Sequence, residues 1–232
     1  MKIKEIGIWL GVIAVLIGGL WLLITSVNNS PSPSAPAQIK IPEVSNQDFI
    51  KSPQLASGSA RLQSPEATAN GGQARVTLVE YADFQCPACK AYFPLVTKLL
   101  SDIKDLRIVY RFFPLSNIHK NAMISSQAAY AAGLQGKFWE MHDMIFENQD
   151  SWSNTQARDI FIDYAKKLNL DSNKFESDMT SDATRKFITQ EMNKAISLGI
   201  NSTPTFFVNG KHIQNPAGYE AFKKIIQDEL AN

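Results

Sequence analysis

The sequence predicts an α/β layer fold with a helical insertion, and three observations carry that prediction. Arg75 to Phe84 (R-V-T-L-V-E-Y-A-D-F) is a nearly continuous apolar run rich in β-branched and aromatic residues, the pattern of a strand buried on both faces. From His119 to Leu198 strand character disappears into a helical block of roughly 80 residues. It returns in T-P-T-F-F-V (203–208), followed by the hairpin signal Asn209-Gly210 and by Lys211-His212-Ile213.

Taken in order, the first strand runs into Cys86-Pro87-Ala88-Cys89 and then K-A-Y-F-P-L-V-T-K-L-L, whose apolar residues recur at helical spacing. A strand therefore meets a helix at the cysteines. Pro87 suits the first helical turn, where a missing N–H costs nothing, and Pro94 predicts a kink in the same helix. Leu106 to Phe113 (L-R-I-V-Y-R-F-F) is a second strand closed by Pro114. The helical block contains amphipathic stretches at Ala122–Leu134, Lys137–Asn148, Gln156–Leu168 and Asp182–Leu198, and Ala217 to Leu230 closes the chain as a helix.

Ahead of this folded part, Ile6 to Ile24 is an uncharged apolar stretch of 19 residues behind Lys2, Lys4 and Glu5. That length just spans a hydrocarbon core. It exceeds the ~7–15-residue apolar region of a secretory signal, and the nearest small-residue cleavage site, Ala35-Pro36-Ala37, lies far beyond it. Residues 1–27 are therefore expected to be an uncleaved anchor with the lysines in the cytoplasm and the remainder exported. Six of the eleven prolines (Pro31, Pro33, Pro36, Pro42, Pro53 and Pro65) fall in the following Ser-, Ala- and Asn-rich stretch. Residues 28–72 read as a flexible linker, and 73–232 as the catalytic domain with its insert at about 117–198. Phe49-Ile50 is a short apolar patch in the linker able to dock on the domain.

Charge excludes one class of partner. Lys and Arg number 23 against 22 Asp and Glu, a net charge of +1 without the basic footprint of a nucleic-acid binder.

The two cysteines carry the chemistry. They lie three positions apart, so a bridge between them closes too small a loop to staple the fold. At the head of a helix, Cys86 would face unpaired backbone N–H groups and the positive end of the macrodipole, which stabilise a thiolate. Cys89, one turn further in, is the natural resolving thiol. A zinc site needs two more ligands. His119, His142 and His212 are the chain's three histidines and have no ligand spacing, so no metal is expected. Asp83 and Gln85 read as strand-end and capping residues, His119 as a solvated or locally hydrogen-bonded side chain, and Phe138, Trp139, Met141, Met144 and Phe146 as core of the insert.

E-Y-A-D-F-Q-C-P-A-C-K (80–90), G-K-F-W-E-M-H-D-M-I-F (136–146) and G-I-N-S-T-P-T-F-F-V-N-G (199–210) together resemble DsbA-like thioredoxin-fold thiol–disulfide oxidoreductases, and most closely their membrane-anchored branch. The resemblance covers about residues 73 to 231. It implies a thioredoxin-like fold, a cis-proline at Pro204 beside the cysteines, a backbone at Thr203 that holds an extended substrate chain, and a proton-transfer role for Glu80 with the resolving thiol. It implies no cofactor beyond a redox-active Cys86–Cys89 disulfide, exported cysteine-containing polypeptides as substrates, and reoxidation by a membrane protein of DsbB or VKOR-like type. The most oxidising members of the family carry His between the cysteines, where this chain has Ala88 after Pro87. The expected potential is accordingly less extreme than the ~−120 mV of DsbA itself. The function expected is introduction of disulfides into exported proteins. The alternatives are reductase or isomerase action at the same site, a peptide-binding chaperone, and a thiolate metal carrier.

Overall fold

The computed structural model describes residues 48–51 and 74–232. The expected anchor and most of the expected linker lie outside them, and among the described residues no helix is long and apolar enough to cross a membrane.

Five strands form one sheet: β1 Phe49–Lys51, β2 Val76–Ala82, β3 Leu106–Phe112, β4 Thr205–Val208 and β5 Lys211–Ile213, in the spatial order β1-β3-β2-β4-β5. β2 and β3 are parallel, with Glu80 opposite Tyr110; every other pairing is antiparallel. The parallel pair is joined by helix α1, Pro87–Asp102, as a parallel crossover requires. The insert between β3 and β4 contains α2 Ala122–Gly133, α3 Phe138–Glu147, the single turn α4 Gln149–Trp152, α5 Ala157–Lys167, α6 Ser172–Thr180 and α7 Asp182–Ser197. Helix α8, Tyr219–Ala231, completes the chain.

The alternation of side chains along the strands divides the interior in two. Leu78, Ala82, Ile108, Phe112, Phe206 and Val208 pack with α1, α8 and most of the insert. Val79, Tyr81, Val109 and Phe207 pack on the opposite face with Ala195 of α7 and Ile200. This is the three-layer arrangement that two apolar faces demand.

One expectation is corrected. The stretch 28–72 is not linker throughout, because Phe49, Ile50 and Lys51 pair antiparallel with Tyr110, Val109 and Ile108. The reason is side-chain packing: the Phe49 ring stacks on Phe138 at 3.7 Å and lies where a Cβ on Gly133 would stand, 2.6 Å from the ring edge. Buried Asp48 adds an ion pair to buried Arg111 at 2.8 Å. The folded domain therefore takes in residues 48–51. Helix α6 lies inside the expected helical block; it carries only Phe175 and Met179 as buried residues and is started by the Asp171 carboxylate accepting from Lys174 N–H at 3.0 Å. The Asn209-Gly210 hairpin is as expected, with φ of 47° and 80°, the left-handed pair that a two-residue turn of this kind needs.

Candidate active site

Residue Cys86 is the N-cap of α1 and Pro87 occupies its first turn. The strand end that delivers Cys86 is held by one carboxylate. Asp83, wholly buried, accepts from Gln85 N–H at 2.8 Å and from Leu115 N–H at 2.9 Å, with His119 Nδ1 2.7 Å from the same oxygen as Leu115. Its carbonyl accepts from Cys86 N–H at 3.0 Å. Asp83 is thus a clamp for the turn, and His119, expected to be solvated or locally hydrogen-bonded, is instead bonded to a residue 36 positions away.

Both cysteines are free thiols. Cys86 is 7% exposed and Cys89 is fully buried, while Pro87 and Ala88 between them are exposed. The Cys86 thiol is brought down to about 5, chiefly by hydrogen bonding from Cys89, against the opposing effect of burial; the N–H groups of Cys89 and Ala88 add to the lowering. Burial pushes the Cys89 thiol far up, reinforced by its bond to Cys86 and by the Glu80 charge. One sulfur is held as thiolate and the other as thiol. That division suits an attacking or leaving group paired with a resolving group.

Thr203 and Pro204 reach the same place. The Thr203-Pro204 peptide bond is cis, and Cys86 Sγ lies 3.5 Å from the Thr203 carbonyl oxygen. The loop is braced by Asn215 Nδ2, which donates to the Pro204 carbonyl at 3.0 Å, and by the Thr205 hydroxyl, which donates to the Ser202 carbonyl at 2.8 Å. Glu80 stands on β2 beneath the cysteines, 3% exposed, and burial pushes its carboxyl up to about 8.

Two positioning residues, Gln149 and Asn121, escaped the sequence reading, and Gln85, read there as a strand-end or capping residue, does not cap the helix but pins the insert. Gln149 Nε2 donates to the carbonyls of Phe84 at 2.7 Å and Cys86 at 3.1 Å. Gln85 Nε2 donates to Ser153 O at 2.8 Å and its Oε1 accepts from Asn121 N–H at 2.6 Å. Asn121 Nδ2 reaches the carbonyls of Trp152 and Ser153 at 3.0 and 3.2 Å. Lys90 pairs with Asp150 at 2.6 Å. Together these fasten the insert to the turn that presents Cys86. All are contacts between residues 30 or more positions apart, for which a single sequence has no signal. Among the described residues no three His, Cys, Asp or Glu side chains are grouped to hold a metal.

A parallel βαβ unit with a dithiol at the helix start and a cis-proline loop against it is the frame of a thioredoxin-like protein, here with a large helical insert. The family model described as "Thioredoxin" matches residues 70–228, and the chain belongs to that family. The fold is that of DsbA-like thiol–disulfide oxidoreductases. It is similar to BdbD from Bacillus subtilis, with a TM-score of 0.61 and 24% identity over 69% of this chain and 90% of that one. It is also similar to alpha-DsbA1 of Wolbachia pipientis, with a TM-score of 0.64 and 18% identity over 83% and 94% of the two chains. A curated relative, a Na(+)/H(+) antiporter NhaA 3 of Salinispora tropica, is 38% identical over 160 residues, which are 69% of this chain. The match spans about a quarter (24%) of that relative's length.

Proposed function

We propose that this protein is a thiol–disulfide oxidoreductase that oxidises cysteine pairs in exported polypeptides. The observation that carries the proposal is the asymmetry of its dithiol: Cys86 at the helix start, its thiol donating to the Thr203 carbonyl at 3.5 Å and its pKa lowered, above a Cys89 thiol with no exposure. A Cys86 pKa of about 5 stabilises the reduced form at pH 7 by about 3 kcal/mol relative to an ordinary thiol, equivalent to roughly 60 mV toward oxidising behaviour.

In the forward direction a substrate thiolate attacks Cys86 of the Cys86–Cys89 disulfide, and Cys89 leaves with the bonding electron pair. Glu80, protonated at neutral pH because of its burial, supplies the proton that Cys89 takes up. A second substrate thiolate then attacks the substrate sulfur of the mixed disulfide and expels Cys86 as thiolate. The substrate gains one disulfide and the protein becomes the dithiol found in this structure. The Thr203 backbone at the cis-proline holds the extended substrate beside Cys86, and Pro87 and Ala88, exposed between the cysteines, set the local environment of the attacked sulfur. No cofactor or metal takes part. The apolar stretch at 6–24 and the lysines before it support a single-pass anchor with the domain outside the cytoplasm, where a membrane protein of DsbB or VKOR-like type would return Cys86 and Cys89 to the disulfide.

The test is equilibration of the protein with glutathione buffers and trapping of free thiols. A potential well above ~−200 mV supports the oxidase; one near the ~−270 mV of thioredoxin turns the assignment to reductase. Absence of exchange would sink both.

A further inference from the structure

Glu80 has no hydrogen-bond or ion-pair partner among the described residues, yet it is 3% exposed. It borders a small cavity between the sheet, α1 and α3, with about the space that one water needs. The cavity's other polar lining residues are Thr97, His142, Asp143 and Lys51. His142 is buried among aromatic rings, including Phe84, Tyr110 and Trp139 at 5.5, 5.1 and 4.9 Å. A histidine there must still satisfy its ring nitrogens. Nδ1–H donates to Asp143 Oδ1 at 2.8 Å, which leaves Nε2 as an acceptor without a partner among the described residues. Asp143 Oδ2 in turn meets Lys51 Nζ at 2.9 Å, and these two side chains are 31% and 33% exposed. A polar path thus runs from the surface at Lys51 and Asp143, through His142, to the cavity beside Glu80.

We propose that this path is the route by which Glu80 exchanges protons with solvent, with His142 as its relay and Asp143 and Lys51 as positioning residues that orient the imidazole. The proposal rests on the exchange chemistry assigned to Cys86 and Cys89. The front of the site is covered by substrate in the mixed disulfide, at the moment when Cys89 takes its proton from Glu80. The proton that replaces it then enters from the rear: His142 in its Nε2–H tautomer gives that proton through a cavity water to the Glu80 carboxylate, while Nδ1 takes up a solvent proton at Asp143, which leaves the ring in the Nδ1–H form. The titratable groups around Glu80 are Cys89 and Cys86 at the head of α1, Tyr110 opposite it on β3, His142 and Asp143 on α3, and Lys51 on β1. Burial holds His142 below the ordinary histidine range, so it is neutral and able to accept at pH 7. Lys51 and the strand that carries it precede the family match at residue 70, so this path depends on a segment that the matched family region does not include.

The experiment uses the full chain in its disulfide form, held at pH 9 where Glu80 is a carboxylate and mixed rapidly with reduced glutathione at final pH values from 5 to 9, so that Glu80 must take up its proton before it can pass one to Cys89, and it reads Cys86–glutathione formation. His142→Gln is expected to slow the step about tenfold at neutral pH with the Cys86 alkylation profile unchanged. His142→Ala is expected to be slow and to recover as free imidazole is added, a response that a purely structural role would not give. Glu80→Gln separates the two levels of the claim. If Glu80→Gln is slow but His142→Gln follows the wild-type profile, the relay is overturned and the role of Glu80 stands. If Glu80→Gln also follows the wild type, both fall. Should the His142 variants not fold, Asp143→Asn and Lys51→Met carry the test, and wild-type profiles in both overturn the proposal.

Discussion

The rings of Phe49 and Phe138 stack at a centroid distance of 3.7 Å and 11°, joining a three-residue strand to the helical insert. Phe49→Ala removes a fully enclosed aromatic side chain and is expected to cost about 3–5 kcal/mol, measured as a drop in the urea midpoint. Gly133→Ala places a methyl group 2.6 Å from the same ring and is expected to destabilise by about 1–3 kcal/mol.

The dependence of Cys86 on Cys89 can be read directly from alkylation. Hydrogen bonding from Cys89 is the largest cause of the low Cys86 pKa. Cys89→Ala is therefore expected to move the midpoint of iodoacetamide reactivity upward from about 5, while Cys89→Ser, which keeps an O–H donor, moves it less. Equal midpoints in the two variants would contradict the assignment.

Glu80 gives a pH dependence of stability with a definite sign. Its folded pKa of about 8 lies above the ordinary 4.5, so the folded state binds the extra proton between those values. Its contribution is fully present below about pH 4.5 and is lost as pH rises through about 8. Glu80→Gln is expected to match the wild type near pH 4.5 and to exceed it by a few kcal/mol, on the order of 3–5, at pH 8 and above. The comparison belongs in the disulfide form, where the depressed Cys86 thiol does not titrate with the opposite slope.

Gln149 bridges the insert to the active-site turn through the Phe84 and Cys86 carbonyls. Gln149→Leu leaves two buried acceptors without this donor and is expected to cost about 1–3 kcal/mol. It is also expected to slow thiol exchange through a misplaced Cys86, measured as the rate of mixed-disulfide formation with glutathione.

Much of this arrangement was legible before any coordinates. The run from Val76 to Ala82 announced itself as a strand because both its faces are buried, and Asn209-Gly210 announced its hairpin because few residue pairs accept two positive φ values. The dithiol followed from the position of Cys86 between that strand and a helix. What escaped was non-local. β1 is three residues in a proline-rich stretch, too short for any periodicity, and its place is decided by Phe138, Gly133 and Arg111 far along the chain. Gln85, Asn121 and Gln149 are ordinary polar residues whose role exists only once the insert folds back on the turn. α6 buries only Phe175 and Met179, a pattern too sparse to stand out.

The pairing of β1 with β3 also governs how the protein can be cut. A fragment begun at residue 73, as its family resemblance would invite, deletes Asp48 to Lys51 and turns β3 into a bare sheet margin. The backbone of Ile108, Val109 and Tyr110, now paired with Lys51, Ile50 and Phe49, would then be open to strand addition by a neighbouring molecule. Such a fragment would be prone to self-association through that margin, and its concentration dependence would be mistaken for quaternary structure.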